Sequence, residues 1–225
     1  MGMVRTGQVR SPARDSRPPP AIAYRIGDRV YLNVTSRCTL RCRFCPKFQG
    51  LWTVADRALR MPISREPSVA EIIAAARAQG PCVEYVFCGL GEPTLRIATV
   101  LAAASVLRAT GIPIRLNTDG LGSLVHGRNV AAELDGLIDR VSISLNAADE
   151  ASYERWCRPR RPDSYPAMLA FAAACRDFVP KVTLSAVAGL AGVDIAACAD
   201  IAARLNVEFR ARPLESTDGR SFRVR

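Results

Sequence analysis

This chain contains little histidine, and its sequence shows no long hydrophobic run and no signal-like hydrophobic core. One histidine, His126, occurs among 225 residues, whereas zinc sites usually combine a cysteine pair with histidines or with a second cysteine pair. No apolar run reaches the roughly 20 residues that a membrane-spanning helix needs. The first twenty residues are rich in Arg, Ser and Pro and carry no hydrophobic signal core. We therefore expect a cytoplasmic protein without a membrane partner.

Eight cysteines stand out against these absences. Disulfide scaffolds are typical of short secreted chains, so we expect these thiols to be reduced. Cys38, Cys42 and Cys45 form a CxxxCxxC pattern directly after the apolar run 30–35. Thiolates are the preferred protein ligands of a cubane iron–sulfur cluster, and three of them leave the fourth iron open to bind another molecule. The pattern predicts such a cluster, and the alternative is a zinc-bound loop in a non-catalytic, partner-binding protein.

The net charge of +10 is concentrated in three segments. Residues 1–20 and 210–225 are basic ends of the kind that usually form solvated tails. Between them, Arg155–Arg161 contains four arginines and no acid. Two interpretations of this internal cluster stay open: it binds a phosphate, a carboxylate or a nucleic-acid backbone, or it is a plain solvated face. Its charge also favours a thiolate at Cys157, which makes Cys157 a candidate catalytic residue.

Short β-branched runs alternate with Ala-rich stretches, which is typical of βαβ units and a parallel sheet. Ser68 and Glu71 have the spacing of a capping box at the start of the first helix. About six units predict an α/β fold, a partial (open) (β/α)6 TIM-like barrel over residues 25–214, between short disordered termini at 1–24 and 215–225. The predicted strands are 30–35, 83–88, 113–118, 140–146, 181–187 and 207–212, and the predicted helices are 68–79, 95–109, 129–138, 149–157, 164–177 and 194–205.

Polar side chains recur at the predicted strand ends, where parallel α/β folds bind their ligands. After the second strand, Gly89 and Gly91 allow a ligand to approach the backbone closely, and Glu92 offers a carboxylate to a cationic group. Side chains alternate between the two faces of a strand, so each strand presents a polar row to the barrel interior and an apolar row to the helices. Arginines in such a cavity favour an anionic ligand. The polar rows are Asn33 with Thr35, Arg115 with Asn117, Ser142 with Ser144 and Asn146, Thr183 with Ser185, and Arg210 with Arg212.

Together these motifs resemble the radical SAM superfamily. The CxxxCxxC pattern, with Phe44 before its last cysteine, is similar to the cluster loop of that family, and Gly89-Leu90-Gly91-Glu92-Pro93 resembles its GGEP motif. More narrowly, the stretch from Leu116 through His126 to Cys157-Arg158-Pro159 resembles the TatD-associated radical SAM proteins. The resemblance implies a [4Fe-4S] cluster and S-adenosylmethionine (SAM) as cofactors, and reductive cleavage of SAM to a 5'-deoxyadenosyl radical that takes hydrogen from a substrate.

The resemblance also implies roles for individual residues. Cys38, Cys42 and Cys45 bind the cluster, while Glu92 and the backbone of Gly89 and Gly91 hold the methionine amino group. Ser144 and Asn146 contact the ribose or the carboxylate, and Phe44, Val187 and Arg210 border the adenine. We assign Asn117, at the end of the third predicted strand, to the same cofactor site. The candidate catalytic or substrate residues are Cys157, His126, Arg115 and Arg212.

The expected partners follow from this chemistry. A radical SAM enzyme needs an electron donor such as flavodoxin or ferredoxin, and the cavity arginines suit a small-molecule or nucleotide-like anionic substrate. The narrower resemblance adds a TatD-like metal-dependent hydrolase as a partner. An alternative is a nucleobase- or RNA-modifying enzyme acting with a TatD-like nuclease, which would use the basic cluster to bind RNA.

Overall fold

The computed structural model describes residues 19–214, so the predictions for 1–18 and 215–225 lie outside the described residues. Seven strands form one sheet in the order β1-β2-β5-β6-β7-β8-β9, and β3 and β4 form a separate hairpin. The strands are β1 (Ala23–Ile26), β2 (Arg29–Leu32), β3 (Thr53–Val54), β4 (Arg57–Ala58), β5 (Glu84–Phe87), β6 (Ile114–Thr118), β7 (Arg140–Ser144), β8 (Lys181–Ala188) and β9 (Glu208–Pro213). The α-helices are α1 (Val69–Ala78), α2 (Ile97–Arg108), α3 (Gly122–His126), α4 (Glu150–Cys157), α5 (Ser164–Cys175) and α6 (Ile195–Arg204).

The sheet is an open barrel. From β2 to β9 every neighbouring pair of strands is parallel, and β1 adds an antiparallel edge strand beside β2. In the sheet order β1 and β9 are the two edges, so the sheet does not close. This confirms the predicted partial barrel. No described helix is both long and apolar enough to cross a membrane.

Alternation along the strands creates a core on one side of the sheet and a polar surface on the other. In β6, Ile114 and Leu116 are fully buried against the helix layer, while Arg115 and Asn117, which alternate with them, are partly exposed on the concave face. The capping box of α1 is also present, because Ser68 accepts from the Glu71 backbone N–H and Glu71 accepts from Ser68. Local sequence therefore fixes both the facing of the strands and the start of this helix.

Three features differ from the sequence prediction. The predicted helix 129–138 is wrong: α3 ends before Gly127, which has φ 64°, and only a short 3-10 turn at Ala132–Leu134 follows. Strand β1 was not predicted, and it begins before the expected domain boundary. Asn33 and Thr35 line neither the cavity at the cysteines nor the one at the other end of the strands. Asn33 donates instead to the backbone oxygens of Ala21 and Leu59 at 3.1 Å, and Thr35 donates to Glu66.

Candidate active site

The carboxyl ends of the parallel strands enclose a cavity of about 610 Å³. The loop after β2 supplies three thiols to it, the turn after β5 supplies two glycines and Glu92, and the concave faces of β6 to β9 supply polar side chains. Most residues predicted to bind the cofactors therefore meet in one place. Those lining the cavity are Cys38, Cys42, Phe44, Cys45, Gly89, Gly91, Glu92, Asn117, Ser144, Asn146, Val187, Arg210 and Arg212.

An ion-pair cluster anchors the start of the cysteine loop. Arg37, directly before Cys38, binds Glu66 through two hydrogen bonds of 2.8 and 3.0 Å, and Thr35 donates to the same carboxylate at 2.5 Å. Arg96 lies 3.5 Å from the second oxygen of Glu66. Burial opposes ionisation, but the bonds from Arg37 and Thr35 and the charges of Arg37 and Arg96 outweigh it and lower the pKa of Glu66 below its usual 4.5.

The outer side of the cysteine loop is bonded to the end of α4. Backbone hydrogen bonds run from Arg41 N–H to the Cys157 oxygen at 2.9 Å and from Arg43 N–H to the Trp156 oxygen at 2.8 Å. A third runs from Arg160 N–H to the Thr39 oxygen at 3.2 Å. These bonds hold the backbone on both sides of Cys42 in place.

The two glycines after β5 are needed for packing against the cysteine loop. A Cβ on Gly91 would overlap the carbonyl oxygen of Thr35 and lie 2.7 Å from that of Arg37, and a Cβ on Gly89 would overlap the Asn33 side chain. Real Cβ atoms do not approach other heavy atoms this closely. The glycines therefore let the turn lie directly on the loop. From the sequence, we had expected them to make room for a ligand instead.

Glu92 and Asp119 join the ends of β5 and β6 beneath the cysteines. The Glu92 carboxylate accepts from Thr94 at 2.9 and 2.6 Å, from Thr118 at 2.7 Å and from the Asp119 backbone N–H at 2.7 Å. Asp119 accepts from the Thr39 hydroxyl and lies 4.0 Å from the Cys38 sulfur. Burial, and then the charge of Glu92, raises the pKa of Asp119 well above its usual value. Asp119 thus links β6 to the cysteine loop.

Asn146 lines the cavity and contacts both Arg212 and Cys157. Its backbone is left-handed, with φ 60°, which asparagine tolerates better than most residues. Its side-chain oxygen accepts from Arg212 at 3.0 Å, and its amide nitrogen lies 3.7 Å from the Cys157 sulfur. Burial and then the nearby Arg210 lower the pKa of Arg212. Asn146 therefore orients a cavity arginine.

The surroundings of the three predicted cluster ligands raise the pKa of each thiol. Burial and then Asp119 raise the pKa of Cys38, and burial raises that of Cys45. For Cys42, a hydrogen bond with Cys157 comes first and burial second, and both raise its pKa. Because metals bind thiolates, a raised pKa means that protons compete with iron for these three sulfurs.

The donor set of the cavity fits a cluster and a polar cofactor. The three thiols are free and line the same cavity, yet within residues 19–214 no three His, Cys, Asp or Glu side chains form a group that could hold a metal ion. A cubane places each thiolate on a separate iron, and three thiolates leave the fourth iron for another ligand, whereas a structural zinc site needs four protein ligands around one ion. The Asn117 Oδ1 and Arg212 Nε atoms are buried here without a hydrogen-bond partner. Unsatisfied buried polar atoms in a cavity are the groups that a polar ligand would bind.

Three of the predicted catalytic residues do not line this cavity. Cys157 is fully buried and its thiol contacts Cys42, and its role as a catalytic residue stays a prediction. His126 lies at the end of α3 with Nε2 2.7 Å from the Thr94 backbone oxygen. Arg115 faces the interior but lies near the opposite end of the barrel, where it pairs with Glu84 at 3.0 Å beside a second cavity of about 500 Å³.

Sequence reasoning missed the contribution of Asp119 and Thr118. Asp119-Gly120 has the composition of a simple turn, and Gly120 has φ 80°. The signal that could have located Asp119 was its place directly after a predicted strand, which puts it at the same barrel end as the cysteines. Its contact with Thr39, eighty residues away in sequence, leaves no local pattern.

The sequence was compared with protein-family models and with curated proteins. A family model described as the Radical SAM superfamily matches residues 32–205. A GTP 3',8-cyclase of Corynebacterium glutamicum is 29% identical over 182 residues, covering 78% of this chain and 46% of that protein. GTP 3',8-cyclase 2 of Mycobacterium tuberculosis is 31% identical over 132 residues, covering 57% of this chain and 34% of that protein. The chain thus spans less than half the length of these curated relatives.

Two solved structures share the fold at low sequence identity. TYW1 with a bound lysine–pyruvate adduct superposes with a TM-score of 0.59 at 16% identity, covering 83% of this chain and 64% of that chain. SuiB of Streptococcus suis bound to S-adenosylmethionine superposes with a TM-score of 0.55 at 15% identity, covering 82% and 38%. The likeness extends over most of the described barrel.

Proposed function

Because this chain belongs to the radical SAM superfamily, we propose that it is an enzyme that binds one [4Fe-4S] cluster and cleaves SAM reductively to act on an anionic substrate. The observation that carries the proposal is that three free thiols share one cavity with the unpartnered polar atoms of Asn117 and Arg212. Thiols and orphaned polar groups in one cavity match the needs of a cluster and a charged, hydrogen-bonding cofactor.

The residues of the cavity divide this work. Cys38, Cys42 and Cys45 would hold the cluster. Glu92 would accept from the methionine amino group through Oε2, which has one protein donor, while Oε1 has three. Asn117 and Ser144 would bind the ribose or carboxylate, and Phe44 and Val187 would exclude water beside the adenine. When bound, the cofactors supply the electron and the 5'-deoxyadenosyl radical that removes a hydrogen atom from the substrate.

The substrate is expected to carry negative charge, in the form of a nucleotide-like or other small anion. Arg210 and Arg212 both line the cavity. The acidic residues among its described lining residues are Glu92 and Asp119. Both carboxylates already accept hydrogen bonds from protein groups, Glu92 from the Asp119 backbone N–H and Asp119 from the Thr39 hydroxyl. The relatives are named for a reaction of GTP, which supports a nucleotide as the first substrate class to test.

Two narrower hypotheses remain proposals. The relatives and structures compared above include no TatD-associated protein, so the pairing with a TatD-like hydrolase rests on the motif resemblance alone. An RNA- or nucleobase-modifying reaction rests on the basic segment Arg155–Arg161. RNA binding that weakens steeply as salt rises would favour that reaction.

The proposed function is tested by anaerobic reconstitution, reduction with dithionite and addition of SAM with candidate substrates. We expect slow 5'-deoxyadenosine formation with SAM alone and faster formation with a nucleoside triphosphate or another phosphorylated metabolite. The Arg212→Gln variant should lose the substrate-dependent increase, whereas Arg128→Gln on the surface should keep it. A colourless protein that retains only zinc would contradict the proposal and favour the non-catalytic alternative.

A further inference from the structure

Six exposed arginines surround the outside of the cysteine loop. Two flank Cys42 in sequence and four belong to the end of α4 and the segment after it. The three backbone hydrogen bonds between the loop and residues 156–160 bring these two stretches of chain together. We call this region the arginine surface, formed by Arg41, Arg43, Arg155, Arg158, Arg160 and Arg161.

The charge of the arginine surface is not neutralised by neighbouring carboxylates. Within the part of the chain that the structure describes, none of its six arginines forms an ion pair, although Glu154 and Asp163 lie in the same segment. Some exposed arginines elsewhere on the molecule do pair, as Arg108 does with Asp139 and Arg128 with Glu133, while single exposed arginines such as Arg176 do not; the arginine surface differs in bringing six of them together. A plain solvated face would mix charges of both signs, so this surface is suited to a negatively charged partner.

The arginine surface lies over the proposed cluster ligands. Arg41 and Arg43 are the neighbours of Cys42, and the Cys42 thiol contacts Cys157 at the end of α4. On the inner side of the same loop is the cavity that SAM and substrate would fill. An electron carrier docked on these arginines would therefore contact the residues on both sides of Cys42 without entering the cavity.

We propose that the arginine surface is the docking site of an acidic protein that carries single electrons on a flavin or an iron–sulfur cluster, of the flavodoxin or ferredoxin type. This inference rests on the proposed function. One electron leaves the reduced group of the carrier and enters the cluster, so the carrier is oxidised by one electron for each SAM molecule cleaved. The opposite charges bring the partners together and orient them, which raises the association rate more than the affinity.

The surface is less suited to nucleic acid. Proteins that bind single strands combine positive charge with aromatic side chains on which bases stack. Trp156 is only 4% exposed and donates its indole N–H to the Ala191 oxygen, and Arg155 covers its ring at 5.4 Å. Phe48, 44% exposed, already contacts the Lys47 ammonium at 5.1 Å. The aromatic groups near the arginines are therefore occupied.

The test compares two double charge reversals. Arg160→Glu with Arg161→Glu changes the arginine surface, and both side chains are exposed. Arg176→Glu with Arg204→Glu makes the same charge change on exposed residues near the ends of α5 and α6. Binding of flavodoxin to the cluster-free proteins is measured by calorimetry at low and high salt. Cluster reduction in the reconstituted proteins is followed by stopped-flow absorbance with reduced flavodoxin, and separately with dithionite.

We expect the change at the arginine surface to lower both binding and the flavodoxin-driven reduction rate at low salt by about tenfold or more, with reduction by dithionite unchanged. The control pair should behave as the unmodified protein does. Equal losses in both variants, or a flavodoxin rate that does not depend on salt, would overturn the docking site. Loss of RNA-oligonucleotide binding with normal flavodoxin rates would also overturn it. Failure of the proposed function is distinct, because the dithionite-reduced unmodified enzyme would then not cleave SAM.

Discussion

At the scale of single residues, Glu92 makes the contacts on which the cavity depends. Its carboxylate is 3% exposed and receives four hydrogen bonds from Thr94, Thr118 and Asp119. All four partners donate, so the site requires an acceptor at both oxygens. A carboxylate meets that requirement and a carboxamide does not, because one of its two terminal atoms is itself a donor.

We predict that Glu92→Gln lowers the free energy of unfolding by about 1–3 kcal/mol, because at least one buried donor loses its acceptor. Urea unfolding of the cluster-free protein measures the change. The matched control is Glu133→Gln, which removes a surface ion pair with Arg128 and should cost under about 1 kcal/mol. Equal effects of the two substitutions would show that the contacts of Glu92 do not stabilise the fold.

Gly91 supports a second prediction at this scale. In Gly91→Ala the new methyl group overlaps the Thr35 carbonyl oxygen, and backbone atoms cannot move away without displacing the cysteine loop. We expect reduced iron content after reconstitution, measured as iron and sulfide per chain. Gly136→Ala is the control, because it introduces strain at φ 64° but meets no atom within 4 Å. Normal iron content in the Gly91 variant would contradict the packing role of this glycine.

At the scale of elements, the ends of helices and the entry to the cysteine loop are held by short-range polar contacts. Ser68 and Glu71 fix the start of α1, and Glu66, two residues earlier, binds Arg37 at the entry to the loop. The segment between β4 and α1 therefore serves both a helix and the proposed cluster site. Its contributions to stability can be separated by substitution.

For the helix start, we predict that Ser68→Ala lowers the free energy of unfolding by about 1 kcal/mol, while Ser68→Gly lowers it by only a few tenths of that. The physical reason is that alanine cannot accept from the Glu71 N–H, whereas glycine lets water reach it. Thermal or urea unfolding measures the difference. Unchanged stability in Ser68→Ala would show that the capping box contributes nothing in this protein.

For the loop entry, we predict a dependence on pH. The folded protein lowers the pKa of Glu66, so the ionised carboxylate stabilises the fold above its unfolded pKa, and this stabilisation disappears as pH falls through the lowered value. The unfolding free energies of the cluster-free protein and of Glu66→Gln should therefore differ at neutral pH and converge as the pH falls below 4.5 and through the lowered pKa of Glu66. A difference that persists unchanged at low pH would exclude this role of the charge.

The elements also show what sequence alone could predict. The alternation of side chains along a strand correctly predicted that Arg115 and Arg212 lie on the concave face. The same alternation does not predict how far along the barrel axis each residue lies. Arg115 is the second residue of β6 and Arg212 is near the end of β9, so they lie at opposite ends. The helix predicted at 129–138 failed because turns at Gly127 and Gly136, both with φ 64°, bend the chain there. The three cysteines were found because their pattern is local.

At the scale of the whole molecule, the two ends of the barrel differ in whether their arginines form ion pairs. At the end away from the cysteines, the buried Glu84 binds Arg29, Arg115 and Arg140 at 3.2, 3.0 and 3.1 Å. That cavity and the proposed active site share Ser142 and Arg210 as lining residues, so the concave face is continuous between them. Near the cysteines, Arg210, Arg212 and the arginine surface form no ion pair with any of residues 19–214, which leaves their charge to attract anions.

The central claim, that the cysteine loop holds a cluster with one iron open to SAM, is tested most directly by electron paramagnetic resonance. The reconstituted protein, reduced with dithionite, is measured with and without SAM. We predict about four irons per chain and a reduced-cluster signal whose shape changes when SAM is added, because SAM coordinates the iron that lacks a cysteine. A cluster signal that SAM leaves unchanged, or no cluster after reconstitution, would contradict the account.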